Sequence, residues 1–220
     1  MKKWIREVIY FEDYYLDFFN AQKEDVKKKF NWTLQLISTQ ERIPEKFFKH
    51  ITGTEGIFEV RVEVGSDILR VFSFFDKGNL VVLVNGFQKK TQKTPKSEIK
   101  MAEKLKKRIF RNEIYKVKIM KAENKKITSF AQHLDEQYGK KGAETRQKYE
   151  EEYESFELGV LIQEMRKERG MTQEQLALKC GTTKTYISKI ENNASDIRLS
   201  TLMRIIRQGL GGHLKLSLTT

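Results

Sequence analysis

Residues 171–192, MTQEQLALKCGTTKTYISKIEN, carry amide, hydroxyl and ammonium groups at the spacing of a helix-turn-helix that reads a DNA groove. If Gln173 opens the second helix of the motif, Leu176 and Ala177 face inward, Ala177 being small where crossing helices approach, and Gly181 supplies the turn. Ile187 and Ile190 then return to the core. Lys184, Thr185, Ser188 and Lys189 on the outer face of the helix that follows, together with Thr183, would meet DNA in the major groove. A lysine or threonine there permits readout of guanine or of the thymine methyl, worth about 1–3 kcal/mol of discrimination for a good bidentate pair.

A second set of reactive or binding groups lies in the first half. Arg61 and Arg70 fall on successive strand-like stretches, and ten Lys or Arg stand against two Asp or Glu over residues 86–111. So one-sided a cluster suits a phosphate backbone, with Phe87 or Phe74 to stack on a base. Arg61, Arg70, Lys89 and Lys90, on or beside strands, read as functional. Lys100, Lys104, Lys106 and Lys107 read as the solvated face of a helix.

These groups need a frame. Residues 4–10 read as a short strand, and EDYYLDFFNAQKEDVKKKFNWTLQLIS as helices. GIFEVRVEVG alternates, with Phe58, Val60, Val62 and Val64 on one face and Glu59, Arg61 and Glu63 on the other, which predicts a half-buried strand. DILRVFSFF and NLVVLVNGF follow, joined by DKGN, whose Gly78 and Asn79 tolerate the positive φ of a tight hairpin. After Pro95, Ile99, Ala102, Leu105 and Ile109 recur at helical spacing. In the second half Leu158, Leu161, Ile162 and Met165 form the stripe of one packing helix, and Leu199, Leu202, Ile205 and Ile206 that of another. Leu214, Leu216 and Leu218 alternate as a terminal strand. The predicted class is α+β: an antiparallel sheet with helices in 1–112, a linker at 113–130, a charged helical segment at 131–157 broken by GKKG, and an all-α helix-turn-helix domain at 158–220 with a short C-terminal strand.

Composition narrows the classes. The net charge of +12 divides between the halves, so each is suited to a polyanion. The single Cys180 excludes an internal disulfide and a cysteine zinc cluster, and the apolar runs are of strand length. These point to a cytoplasmic protein with no membrane contact, no metal and no cofactor.

With those motifs in view, residues 158–208 resemble the phage-repressor (XRE-type) family, through TQEQLA, YISKIEN and the small-residue turn. The resemblance implies that Gln173 contacts a DNA phosphate, that Lys184, Thr185 and Lys189 face bases or phosphates, and that the domain binds a two-fold operator as a dimer. The first half, through IFEVRVEVGSDILRVFSFF and GFQKKTQKTPKSEIKMAEK, resembles the Gp49-like branch of the RelE/HigB toxins, and residues 120–220 resemble HigA-type antitoxins. This implies a RelE-like domain that cleaves messenger RNA on the ribosome, with Arg61, Arg70, Lys89 and Lys90 as the cations of its site. His50 is a candidate proton carrier, since many relatives have a Tyr or His near the end of the domain and here only Tyr115 follows residue 90 in the first half.

Toxin and antitoxin then lie in one chain, the second half neutralising the first in cis or in trans and repressing its own operator. The acidic stretch KYEEEYESFELG is a candidate cover for the basic surface. Two other classes stay open: a transcription regulator whose RelE-like domain is catalytically silent, and a ParE-like inhibitor of DNA gyrase.

Overall fold

In the computed structural model the described residues are 3–76, 78–90, 94–111 and 127–215. They fall into two compact units, Met1–Lys140 and Lys141–Thr220. The first unit is built on a sheet. Strands β1 (Glu7–Phe11), β2 (Phe48–His50), β3 (Ile57–Val64), β4 (Asp67–Asp76), β5 (Leu80–Gln88) and β6 (Ile127–Ser129) lie in the order β2-β3-β4-β5-β1-β6. The β3–β4–β5 meander is antiparallel as predicted, with Gly78 at φ 80° in the hairpin. The sheet as a whole is mixed, because β1 runs parallel to β5. A parallel pair needs a long crossover, which here contains helices α1 (Tyr14–Asn20) and α2 (Glu24–Thr39).

Strand alternation assigns the two faces. Ile9 and Phe11 of β1, Ile57 of β3, Phe72 and Phe74 of β4 and Val82 and Val84 of β5 pack with Ala102, Leu105 and Ile109 of helix α3 (Lys96–Arg111). Tyr10 points the other way and meets Tyr15 and, through it, Phe19 and Phe30 of α1 and α2. Gly86 belongs to that second face: a Cβ there would stand 2.2 Å from a ring carbon of Phe18, so α1 approaches β5 as closely as it does only over a glycine. Because helices cover both faces, β3 is not the half-buried strand its alternation suggests. Glu59, on the supposed solvent face, is buried.

Two further expectations change. Residues 127–129, read as linker, are the edge strand beside β1, and helix α4 (Phe130–Tyr138) packs in the first unit. The compact units therefore divide at 140/141, beyond the expected boundary. FFKHITG, to which the sequence assigns no element, contains β2. Residues 112–126, with Tyr115, lie outside the described residues.

The second unit is helical: α5 (Glu144–Glu168), α6 (Gln173–Lys179), α7 (Lys184–Asn192) and α8 (Leu199–Arg204), the last prolonged by a π-helical turn over Ile205–Gly209. Its core joins Ile162, Leu176, Ala177, Ile187, Ile190, Leu202, Ile205 and Ile206. Leu161 and Leu199 are exposed instead of buried: Leu161 lies about 100° around the helix from Ile162, and Leu199 is the first residue of its helix. Residues 211–215 form no strand. Leu214 packs on its own unit's core, and Leu216 and Leu218 lie outside the described residues.

Candidate nucleic-acid interfaces

The DNA-reading motif forms for local reasons. The Thr172 hydroxyl accepts a 3.1 Å hydrogen bond from the Gln175 amide, and the Gln175 side chain accepts one of 2.8 Å from the Thr172 amide, closing a capping box at the start of α6. Gly181 turns the chain at φ 59°. Thr183 caps α7 through its hydroxyl, which accepts from the Tyr186 amide at 3.2 Å. Its hydroxyl is thus committed to capping the helix. Lys184, Thr185 and Lys189 are exposed on that helix and Ser188 is half-buried.

Behind this surface lies a charged network that periodicity alone places in the core. Glu191 follows Ile187 and Ile190 at i+4 and i+1 and is 1% exposed. It accepts hydrogen bonds from Arg166 Nε at 2.5 Å and Nη2 at 2.9 Å, from Gln163 at 3.2 Å and from Gln173 at 2.8 Å. Burial pushes the Glu191 carboxyl up, but the bonds from Arg166, Gln173 and Gln163 outweigh it and hold the group below the usual carboxylate range. The same bond to Glu191 raises Arg166. Gln173 is therefore oriented by a fixed carboxylate at the entry of α6. The sequence signal for this network is a glutamate where helical spacing calls for an apolar residue.

In the first unit Arg61 and Arg70 are direct cross-strand partners on β3 and β4. Glu59 sits between them, its Oε2 3.8 Å from the Nε of each. Thr94, from the segment after β5, donates to Glu59 Oε1 at 2.8 Å. Arg70 is buried and heavily engaged: Nη2 donates to Glu63 at 2.9 Å and Nη1 to the Leu69 carbonyl at 2.8 Å. Arg61 is more open and donates to the Glu45 carbonyl at 3.0 Å. Lys89 continues the β4–β5 end of the sheet, its amide donating to the Ile68 carbonyl at 2.7 Å; its side chain is half-buried and Lys90 is exposed. Sequence reasoning missed Glu59 and Glu63, which pair with Arg61 and Arg70, and Thr94, which holds Glu59.

His50 is not brought to this cluster. Its register partner is Phe58, one residue out of phase with Glu59 and Arg61, so its ring packs edge-on to Phe58 at 5.1 Å on the opposite face of the sheet. The aromatic platform also differs from expectation. Phe74 is fully buried in the core and Phe87 is buried against Phe72, with ring centroids 5.3 Å apart. The outer side of α3 does carry cations: a groove of about 940 Å³ is lined by Tyr14, Lys100, Lys104, Lys107, Arg108 and Arg111, among others. Lys106 lies lower, over the Phe74 and Phe110 rings.

Comparison with known proteins gives one family match in each unit. Residues 17–107 match the family described as phage-derived protein Gp49-like, and residues 162–208 match the helix-turn-helix family. Similar solved structures include two crystal structures of the wild-type restriction-modification controller protein C.Esp1396I. One is 37% identical over 27% of this chain and 75% of that one, with a TM-score of 0.26. The other is 38% identical over 26% and 74%, with a TM-score of 0.25. No curated protein matches the chain. Among the described residues no helix is long and apolar enough to cross a membrane.

Proposed function

We propose that this chain, which joins a Gp49-like domain to a helix-turn-helix DNA-binding domain, is a toxin–antitoxin module of the HigB/HigA kind in a single polypeptide. The first unit is an endoribonuclease acting on messenger RNA at the ribosome. The second binds operator DNA as a homodimer and represses its own transcription. The observation that carries the enzymatic reading is the Arg61–Arg70 pair, held across adjacent strands by Glu59 in a domain of this family.

Cleavage through the ribose 2'-hydroxyl needs cations that bind the phosphate and stabilise charge as it develops. Arg61 supplies an open guanidinium, and Arg70 supplies a second when a phosphate replaces Glu63 as its partner. Lys89 and Lys90 extend the positive track away from the sheet. A group to activate the 2'-hydroxyl and one to protonate the leaving oxygen are also required. His50, on the opposite face, is poorly placed for either role, and Glu59 is the carboxylate nearest both arginines.

The test is induction of residues 1–140, the whole first unit, beside the full chain. Growth arrest with ribosome-dependent messenger RNA cleavage, lost in Arg61→Ala, supports the nuclease. Full growth with a soluble, folded 1–140 refutes it and leaves a regulator with a silent domain; DNA damage without RNA cleavage selects gyrase as target. For the second unit, Lys184→Ala with Lys189→Ala should weaken operator binding and flatten its salt dependence.

A further inference from the structure

The segment 127–138 lies outside both matched domains, yet it is built into the first unit at every turn. It begins as β6, antiparallel to β1, with Phe11 opposite Ile127, Tyr10 opposite Thr128 and Ile9 opposite Ser129. Ser129 ends the strand and starts α4, its hydroxyl accepting from the Gln132 amide at 3.2 Å. The helix then presents one face at i, i+3, i+4 and i+7. Phe130 stacks on Trp4 at 5.6 Å, His133 stands edge-on to Phe19 at 4.9 Å and to Tyr10 at 5.4 Å, and Leu134 is fully buried. At the far end Asn31 of α2 donates to Gln137 at 2.9 Å and to the Tyr138 hydroxyl at 3.2 Å.

Two recognition modes are combined here. Strand addition satisfies the backbone of the β1 edge, and an amphipathic helix fills the aromatic cleft beside it. Such a surface fits one occupant by shape and spacing. We infer that residues 127–138 are a docking clasp: they hold the DNA-binding half to the first unit noncovalently, independently of the connecting chain. Helix α4 of the clasp packs on the Tyr10 face of the sheet, and Ile127 of its strand packs on the Ile9 face at the β1 edge. Arg61 and Arg70 lie on the Ile9 face of β3 and β4, with β5 and β1 between them and the clasp strand. It is an anchor, and it leaves those arginines uncovered by its own residues. Cutting the chain within 112–126 therefore does not free the first unit; losing the clasp does.

This inference does not depend on nuclease activity, because its readout is physical association. A protease recognition site placed within 112–126 of the full chain allows cutting after folding. The expected result is that the two fragments co-elute in size exclusion at about 1 µM and appear as one complex in native mass spectrometry. Leu134→Asp, which buries a carboxylate in the cleft, should weaken the cut complex at least about 30-fold, as expected for a central anchor. Ala131→Asp, on the exposed side of the same helix, should leave it intact. A synthetic peptide of residues 124–140 in hundredfold excess should displace the DNA-binding fragment from the cut wild-type protein, a measurement that needs no mutant to fold. Separation of the cut wild-type fragments, or persistence of the complex in the presence of the peptide, overturns the inference.

Discussion

His133 makes the stability of the first unit depend on pH in a direction the structure fixes. Its ring lies among Tyr10, Phe19 and Phe130, is 4% exposed, and its Nε2 has no hydrogen-bond partner. Burial lowers its pKa to about 4. Unfolded, the same imidazole titrates near about 6.5. The folded state therefore holds the neutral form, and its contribution to stability is fully present above about pH 6.5 and is lost as pH falls toward 4. With those two values the loss from this one group between pH 7 and pH 5 is about 2 kcal/mol, approaching about 3 kcal/mol below pH 4. Both tryptophans of the chain, Trp4 and Trp32, lie in the first unit, so urea unfolding followed by their fluorescence reports that unit alone. The comparison is with His133→Phe, which keeps an aromatic ring and cannot titrate, so that every other group cancels. The wild type should lose ground to the variant as pH falls, by about the amount just given. A stability difference that stays constant from pH 7 to pH 5 would refute the reasoning, since the imidazole would then be protonated equally in both states.

Two other perturbations probe the second unit. Glu191→Ala leaves the Arg166 guanidinium buried without its carboxylate, and removal of one partner from such a pair costs about 3–5 kcal/mol; thermal melting and amide exchange in α6 and α7 should show it, and operator affinity should fall because Gln173 loses its anchor. Gly159→Ala places a Cβ 2.4 Å from the Ile190 carbonyl oxygen. Since that oxygen belongs to the α7 backbone and cannot swing aside, α5 and α7 must move apart, at a cost of about 1–3 kcal/mol, and an unchanged melting temperature would contradict the close approach.

The elements with strong periodicity were legible in the sequence. The β3–β4–β5 meander, α3 and the paired helices of the DNA reader stand where apolar spacing predicted them. What escaped was decided by partners distant in sequence. β6 is three residues with no alternation long enough to read, and only the edge of β1 makes it a strand. Glu59 looked solvated because its strand alternates cleanly, but alternation reports that two faces differ and cannot say that a second helix covers the polar one. His50 and Arg61 lie eleven residues apart in sequence, and only the register, which sets His50 opposite Phe58, places them on opposite faces of the sheet. In the helix-turn-helix unit the apolar spacing was visible, while the buried Glu191 network that holds Gln173 was not, because helical periodicity marks apolar positions and does not by itself tell that a glutamate at one of them is paired inside the core.

The engagement of Arg70 bears directly on how the first unit would take up RNA. The four charges of Arg61, Arg70, Glu59 and Glu63 sum to zero, so a phosphate arriving at the arginines competes with carboxylates already in place. Glu59 is buried and also holds Thr94, whereas the Glu63 side chain is half exposed and, among the described residues, bonds Arg70 alone. If RNA is bound at the arginines, Glu63 is therefore the partner its phosphate would displace. Glu63→Gln removes the competing charge while keeping the side chain's size, and leaves the cluster with one net positive charge. Binding of a short single-stranded RNA should tighten, and the slope of log K against log salt should steepen by about 0.7 for one further phosphate contact. Glu59→Gln should do the opposite, because it loosens the spacer that holds both guanidiniums. If both variants shift RNA binding alike, Glu63 is not a gate on Arg70, and the phosphate is held elsewhere, with the α3 groove of Lys100, Lys104 and Arg111 as the remaining cationic surface.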